Sequence, residues 1–516
     1  MVKNILVLHP FFFCLFPVFY IYSKRKETLF TSTLIPAIVI LVSILSLWFL
    51  MSLLVKNKEK KAVLLSVFLL FFFSFGYAFK TIKPFLSRSF PYDYTIFFVV
   101  WATFLITFLW LIIRFNRDLA VITASLNIMA ASLLIFLVID ISPLGEWFGF
   151  NRFQLSNNME KPLRIPQKDL ITTRPLPNIY YIILDGYGRA DILKEFYQLD
   201  NQEFIRFLKD KGFFVAEKSR SNYPQTALSL SSSLNFQYVP AMFTKMDTLS
   251  DDRSSLAKLI RHNNLFHSLK QHNYTIITFS SGKAETEINN SDLYLEPRWS
   301  LPEFEHLLIN STPLSIILKG LQYNLHRERI LFILEHLGKL PVGDRPFLAF
   351  AHIIAPHPPF ILGEKGEPKQ PNRNFSLGDG DHFTQNASRA EYVDSYKKEV
   401  IYLNTRIKEL VQTILANSSR PSIIVLQSDH GPGSYLEWRH PENTNLNERM
   451  SNFIACYFPD QKTKMLYPTI TPVNIFRIVL NQYFGDNYPL LKDEVYFATL
   501  GRPYRLEKVT DKIDKD

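Results

Sequence analysis

The stretch Asn178-Ile179-Tyr180-Tyr181-Ile182-Ile183-Leu184-Asp185-Gly186-Tyr187 decides the fold of the larger, C-terminal part of this chain. From Ile179 to Leu184 β-branched, aromatic and aliphatic residues follow one another with no polar alternation, which is how a strand buried on both faces reads. The run stops at a carboxylate followed by a glycine. Comparable runs occur at 274–279 (YTIITF), 347–354 (FLAFAHII), 422–427 (SIIVLQ) and 452–458 (NFIACYF). Between them lie helical patterns, at 254–273, 389–417 and 471–485. This alternation predicts an α/β domain over 178–516 built on a mostly parallel central sheet.

In such a sheet ligands bind at the carboxyl ends of the strands, where loops leave the ladder and converge. Asp185 stands at one such end. The segment 422–434, SIIVLQSDHGPGS, delivers Asp429 and His430 as it leaves another. Two carboxylates and an imidazole make an O and N ligand set for a divalent cation. Taken singly, each acid also reads as an ordinary turn residue, since Asp-Gly and Asp-x-Gly are turn signals. The segment 221–235, SNYPQTALSLSSSLN, places Pro224 two residues before Thr226 in what reads as a loop entering a helix. A hydroxyl there feels the positive end of the helix dipole and, beside a metal, becomes a usable nucleophile. The plainer reading of Thr226 is an N-cap.

The first 142 positions read differently. Five apolar runs approach or exceed the roughly 20 residues that cross a bilayer: Ile5 to Tyr22, Leu34 to Val55, Ala62 to Phe79, Tyr94 to Ile113 and Leu119 to Ile141. The first holds His9, Pro10 and Pro17, and with no small-residue cleavage site after it, it reads as a retained anchor. Seven Lys and Arg flank the spans on the Lys3 side against six on the other. The bias puts the N-terminus in the cytoplasm and, after five spans, the C-terminal domain outside. Residues 143–177, rich in Pro, Asn and charge, read as a juxtamembrane connector. The net charge of +10 resides largely in clusters between spans, where anionic lipid explains it, so no nucleic-acid partner is expected. The two cysteines, Cys14 in a span and Cys456 in an apolar run, do not form an intradomain disulfide in this reading.

Four segments in order, LDGYGR (184–189), NYPQTALSLSSSLN (222–235), HIIAPHPPF (352–360) and SDHG (428–431), resemble the sulfatase-like branch of the alkaline phosphatase superfamily. The five-span layout is similar to that of lipoteichoic acid synthases and phosphoethanolamine transferases. The resemblance implies that Asp185, Asp429 and His430 bind a metal together with Thr226, the nucleophile, and that Ser229 is the runner-up for that role. It implies that His357 meets the phosphoryl oxygens or the leaving group; His440 either stands in for a later histidine of the transferases or, in WRHPE, lies on an exposed loop. Arg189, with Asp191 in GRAD, is a candidate substrate contact, and its plainer reading is a helix start, where an acid is favoured. Two departures bear on the chemistry. No Cys/Ser-x-Pro-x-Arg lies near position 226, so the formylglycine of true sulfatases is not available. No Asp-x-x-x-His pair completes a second site, so one divalent ion is expected: Mn²⁺, Mg²⁺ or Zn²⁺.

The expectation is a membrane-anchored phosphotransferase that moves a phosphoryl-linked headgroup from a phospholipid to an envelope glycan or lipid acceptor through a covalent phosphothreonine. The alternatives are a phosphodiesterase using water as acceptor, and a non-catalytic scaffold that keeps the fold. A transporter has little support, because the spans hold few ionisable residues at mid-depth.

Overall fold

A computed structural model describes residues 6–85, 93–141, 153–155, 175–340, 343–371, 373–385, 387–461 and 463–513. Ile5 and the expected connector lie outside them, apart from 153–155 and 175–177 of the latter. The chain divides into two compact units: Met1–Asn151 with Pro302–Gln322, and Arg152–Leu301 with Tyr323–Asp516.

In the first unit the apolar runs form α1 (His9–Lys24), α2 (Phe30–Leu54), α3 (Lys58–Ile82), α4 (Asp93–Arg114) and α5 (Ala120–Ile141). Among the described residues, α2 to α5 are long and apolar enough to cross a membrane. The first run gives a helix of only 16 residues, about 24 Å long at 1.5 Å per residue and short of a full hydrocarbon crossing. Its start is set by a polar side chain: Asn127 Oδ1 on α5 accepts the amides of Leu8 and His9 at 3.0 and 2.9 Å. These are two of the donors that the first turn of a helix leaves unsatisfied.

The second unit is the α/β domain. Its strands are β1 (Phe153–Leu155), β2 (Asn178–Leu184), β3 (Phe214–Val215), β4 (Phe243–Met246), β5 (Thr275–Phe279), β6 (Leu293–Leu295), β7 (Phe347–Ile353), β8 (Ser422–Gln427), β9 (Ile454–Tyr457), β10 (Tyr496–Phe497) and β11 (Glu507–Lys508). Seven form one sheet in the order β3-β9-β8-β2-β7-β5-β6. From β8 to β6 all pairings are parallel, while β9 pairs antiparallel with both β8 and β3 and is the one strand of this sheet that runs the other way. β2 lies between β7 and β8, and its residues alternate between two cores. Tyr180, Ile182 and Leu184 enter one, and Ile179, Tyr181 and Ile183 the other. An apolar run without polar alternation is what this double burial requires.

The helix expected over 254–273 is two, Ser254–Arg261 and Asn264–Gln271. Asn263 causes the break, because its side chain accepts the Phe266 amide at 2.8 Å and starts a new helix. The pattern at 389–417 is one helix, Arg389–Asn417, and that at 471–485 is Pro472–Phe484, ended by Gly485 at φ 73°.

Candidate metal centre and active site

The register of the sheet brings the two acids together. Ile183 of β2 pairs with Gln427 of β8 in parallel, so Asp185 and Asp429 each follow a matched pair by two residues. The Asp429 carboxylate closes the gap: its Oδ1 accepts the amides of Gly186 at 3.1 Å and His430 at 3.0 Å. His430 Nδ1 lies 2.9 Å from the Gly431 carbonyl. A proton on Nδ1 donated there leaves the Nε2 lone pair facing the acids, 3.5 Å from Asp185 Oδ1 and 3.3 Å from Asp429 Oδ2.

Three observations fit a cation at this point. One ligand atom from each of Asp185, Asp429 and His430 lies within 4.8 Å of the others. Donors about 2.1 Å from a common ion stand about 3.4 Å apart in a tetrahedron, and the separations at His430 bracket that value. Both Asp185 oxygens and Asp429 Oδ2 are buried without a hydrogen-bond partner, a state that buried polar groups rarely keep unless something unseen satisfies them. Burial alone would raise the Asp185 carboxyl, but His357, His352 and Lys283 outweigh it and hold it well below the usual carboxylate range. Burial, then the Arg449 guanidinium, lowers His430, which favours the neutral ring a metal requires.

Thr226 is the first residue of the helix Thr226–Asn235, and Gln225 occupies the N-cap. The hydroxyl is therefore not a cap. Its Oγ1 lies 3.4 Å from His430 Nε2 and 3.2 Å from Lys283 Nζ. Ser229 bonds back to the Tyr223 carbonyl at 3.0 Å, a local contact that leaves Thr226 as the candidate nucleophile. His357 is buried, with Nδ1 2.6 Å from the Pro358 carbonyl and Nε2 3.7 Å from Asp379 Oδ1. Its ring centroid is 6.4 Å from that of His430.

Two expected residues are not brought to this cluster. The His440 side chain is 68% exposed and pairs with Glu442 at 3.4 Å, because it lies on a surface loop rather than at a strand end. The buried Arg189 guanidinium is engaged within the fold, by Asp191 at 2.7 and 2.8 Å and by the Ser219 carbonyl at 2.7 Å. Those three bonds use each of its nitrogens to hold the chain rather than to face the cluster.

Other groups at the site were not anticipated. Lys283 sits in the loop after β5, tied to Glu285 at 3.1 Å; the strand-end rule that found Asp185 applies equally to the SSGK following 274–279. His352, opposite Ile183 on β7, puts Nε2 3.2 Å from Asp185 Oδ2 and Nδ1 3.0 Å from Thr286 Oγ1. Arg449, fully buried, reaches the Pro224 carbonyl at 2.9 Å, the Gly431 carbonyl at 3.3 Å and Asp379 at 2.5 Å. It thus ties the segment before Thr226 to the one after Asp429. Burial opposes ionisation of Asp379, yet Arg449 and the two histidines, His357 and His430, keep its carboxyl far below the usual range.

The loop that carries His357 is held by Glu399 of the helix Arg389–Asn417, whose Oε1 accepts the amides of Ile361 and Leu362 at 3.1 Å each. Burial pushes this carboxyl up from 4.5 to about 8. The folded chain thus keeps a proton that the unfolded chain releases near pH 4.5, so this group makes stability fall as pH rises from about 4.5 to about 8. Glu399→Gln is expected to flatten that slope, with wild type and variant diverging by a few degrees in Tm between pH 5 and pH 9. Parallel slopes would remove Glu399 as the source.

Among solved structures, the C-terminal periplasmic domain of EptC from Escherichia coli is similar at 11% identity, covering 66% of this chain and 94% of its own with a TM-score of 0.41. The integral membrane lipooligosaccharide phosphoethanolamine transferase A from Neisseria meningitidis is similar at 11% identity, covering 92% of this chain and 95% of its own, TM-score 0.41. A sulfatase-type protein from Bacteroides fragilis is similar at 14% identity, covering 63% of this chain and 82% of its own, TM-score 0.35. Curated protein sequences yielded no match. The sulfatase family model matches residues 177–483, more than half of the chain and every strand of the seven-stranded sheet. The chain belongs to the sulfatase family and is an enzyme of the alkaline phosphatase superfamily.

Proposed function

We propose that this enzyme is a membrane-anchored, metal-dependent phosphotransferase. It moves a phosphoryl-linked headgroup from a phospholipid to a glycan or lipid of the cell envelope, through a phosphothreonine at Thr226, with its domain on the extracytoplasmic side. The observation that carries the reading is a threonine hydroxyl at a helix N-terminus, 3.2 Å from a lysine ammonium and 3.4 Å from an imidazole nitrogen. Beside it stand three buried carboxylate oxygens without a hydrogen bond, of which Asp185 Oδ2 has only the His352 ring as an ionic neighbour, at 3.2 Å. Asp185, Asp429, His430 and Thr226 would hold the ion, and Mn²⁺, Mg²⁺ and Zn²⁺ all suit such a donor set. When bound, a divalent ion supplies Lewis acidity, lowering the pKa of the hydroxyl and neutralising phosphoryl oxygens.

The chain's own residues do the rest. Thr226 loses its proton to solvent and its Oγ1 attacks phosphorus in line. A threonine–phosphorus ester bond forms and the bond to the diacylglycerol oxygen breaks. His357 Nε2 gives that oxygen a proton, and an acceptor hydroxyl then attacks the phosphothreonine, returns a proton to His357 and releases Thr226. Lys283 Nζ, already at Oγ1, lies where negative charge gathers in both steps. Lys283→Met should lower kcat by roughly 10²–10³-fold with a smaller change in KM, the scale for losing one preorganised charge-stabilising donor. A change confined to KM would assign Lys283 to substrate binding alone.

The reading is tested by placing the full chain in vesicles of phosphatidylethanolamine and phosphatidylglycerol with a glycolipid acceptor. Transfer predicts diacylglycerol in equal amount to headgroup phosphate on the acceptor. Equal amounts of free headgroup phosphate would make it a hydrolase, and sulfate release from sulfate esters without diacylglycerol would overturn the proposal.

A further inference from the structure

Residues 302–322, PEFEHLLINSTPLSIILKGLQ, lie in the middle of the sulfatase match but cluster with the membrane helices rather than with the sheet. They comprise the helix Glu303–Asn310, a turn at Ser311 to Pro313, and the first turns of the helix Leu314–His336. We propose that this segment is a re-entrant hairpin whose outward face, Leu314, Ile317 and Leu321, rests on the acyl chains of the bilayer leaflet. The proposal does not depend on the reaction the enzyme catalyses.

Depth is the first argument. The Gly76 amide of α3 donates to the Ser311 carbonyl at 3.0 Å, and a Cβ at position 76 would lie 2.0 Å from the Asn310 carbonyl oxygen. Only glycine lets the turn come so close. Gly76 belongs to the apolar run Ala62 to Phe79, about 4.5 Å short of its end at 1.5 Å per residue. The tip of the hairpin therefore meets α3 at a level where that helix faces hydrocarbon. Ser315 Oγ is 2.6 Å from the Tyr94 hydroxyl at the start of α4. Phe304 packs with Val18 and Ile21 of α1, joined by Leu307 and Leu308.

Polar satisfaction is the second. Backbone at that depth must find its hydrogen bonds inside the protein. Here the Ser311 and Thr312 hydroxyls return to the carbonyls of Leu308 and Ile309 at 2.7 and 2.8 Å, and Ser315 Oγ returns to Thr312 at 2.8 Å. The Leu314 amide donates to Thr312 Oγ1 at 3.2 Å.

The outward face is the third. Leu314, Ile317 and Leu321 fall at i, i+3 and i+7, on one side of the helix, and are 39%, 78% and 48% exposed. Toward the end of α5, in the same unit, Ile135 and Phe136 are 59% and 70% exposed, so a bare apolar face of this kind matches that of a helix that lipid covers. With α3, α4 and α5 each long enough to cross, α3 ends and α4 begins at one leaflet, where Gly76 and Tyr94 meet the hairpin.

Spin labels on the full chain in lipid nanodiscs provide the test. Cys14 and Cys456 are both buried, so a nitroxide at Ile317→Cys is selective, and the exposed site tolerates it. References are Phe136→Cys near the end of α5, 70% exposed, for lipid and Glu335→Cys, exposed on the α/β domain, for water. The label at 317 is expected to show several-fold greater relaxation by oxygen than by a water-soluble nickel chelate, matching position 136, and Leu321→Cys should agree. Chelate access equal to that at position 335 would overturn the proposal. Dipolar broadening between labels at 317 would overturn it too, since the face would then be covered by a second copy.

Discussion

Thr226→Ala leaves no turnover above roughly one part in 10⁴ of wild type, a loss on the scale seen when a nucleophile is removed from an otherwise intact site. The hydroxyl of Thr226 touches the site through His430 and Lys283. The helix it begins is wholly buried and keeps its packing without it. The variant should therefore fold, retain the Asp185, Asp429 and His430 ligands, and melt within a few degrees of the native protein. Rates of diacylglycerol release from vesicles, alongside Tm, separate the two effects. Turnover within tenfold of wild type would exclude Thr226 as nucleophile.

Asp185→Asn should lose the metal. With the structure offering three ligands besides the hydroxyl, removal of the Asp185 charge is expected to weaken binding by more than about 100-fold, the upper scale for losing a mere supporting group. Stability follows by linkage: an ion at 1,000 times its Kd adds about 4 kcal/mol to the native state. The wild-type Tm should accordingly drop on chelation and recover with added ion, while Asp185→Asn, left with at most about 1.4 kcal/mol at the same ion concentration, should respond far less. Elemental analysis of both proteins after dialysis supplies the stoichiometry. Equal metal content in the two would contradict the site.

The strand ends were legible because double burial leaves no room for polar alternation, so the first acid after IYYIIL and after SIIVLQ stands out against its background. The register that joins them was implicit in parallel pairing. Thr226 was legible as a helix start from Pro224 two residues before it. What could not be read were groups that reach the site through irregular chain. Asp379 caps the five-residue helix Gly380–Thr384 and meets Arg449 across 70 positions, and nothing periodic links the two. Lys283 follows a strand that was recognised, but its loop carries no motif. His440 misled for the opposite reason, since histidine near a metal motif invites assignment while its position in a surface loop leaves it exposed. In the membrane part, hydropathy marked five runs but not the Asn127 side chain that starts α1 at His9, nor the return of residues 302–322 to the membrane helices.

The most direct measurement of the central claim is mass spectrometry of the full chain quenched during turnover with phosphatidylethanolamine vesicles, followed by peptide mapping. A headgroup phosphate ester on Thr226, absent from Thr226→Ala and discharged by adding acceptor, is the predicted result. Continued product formation with residues 221–235 unmodified, or with the ester on another side chain, would contradict it.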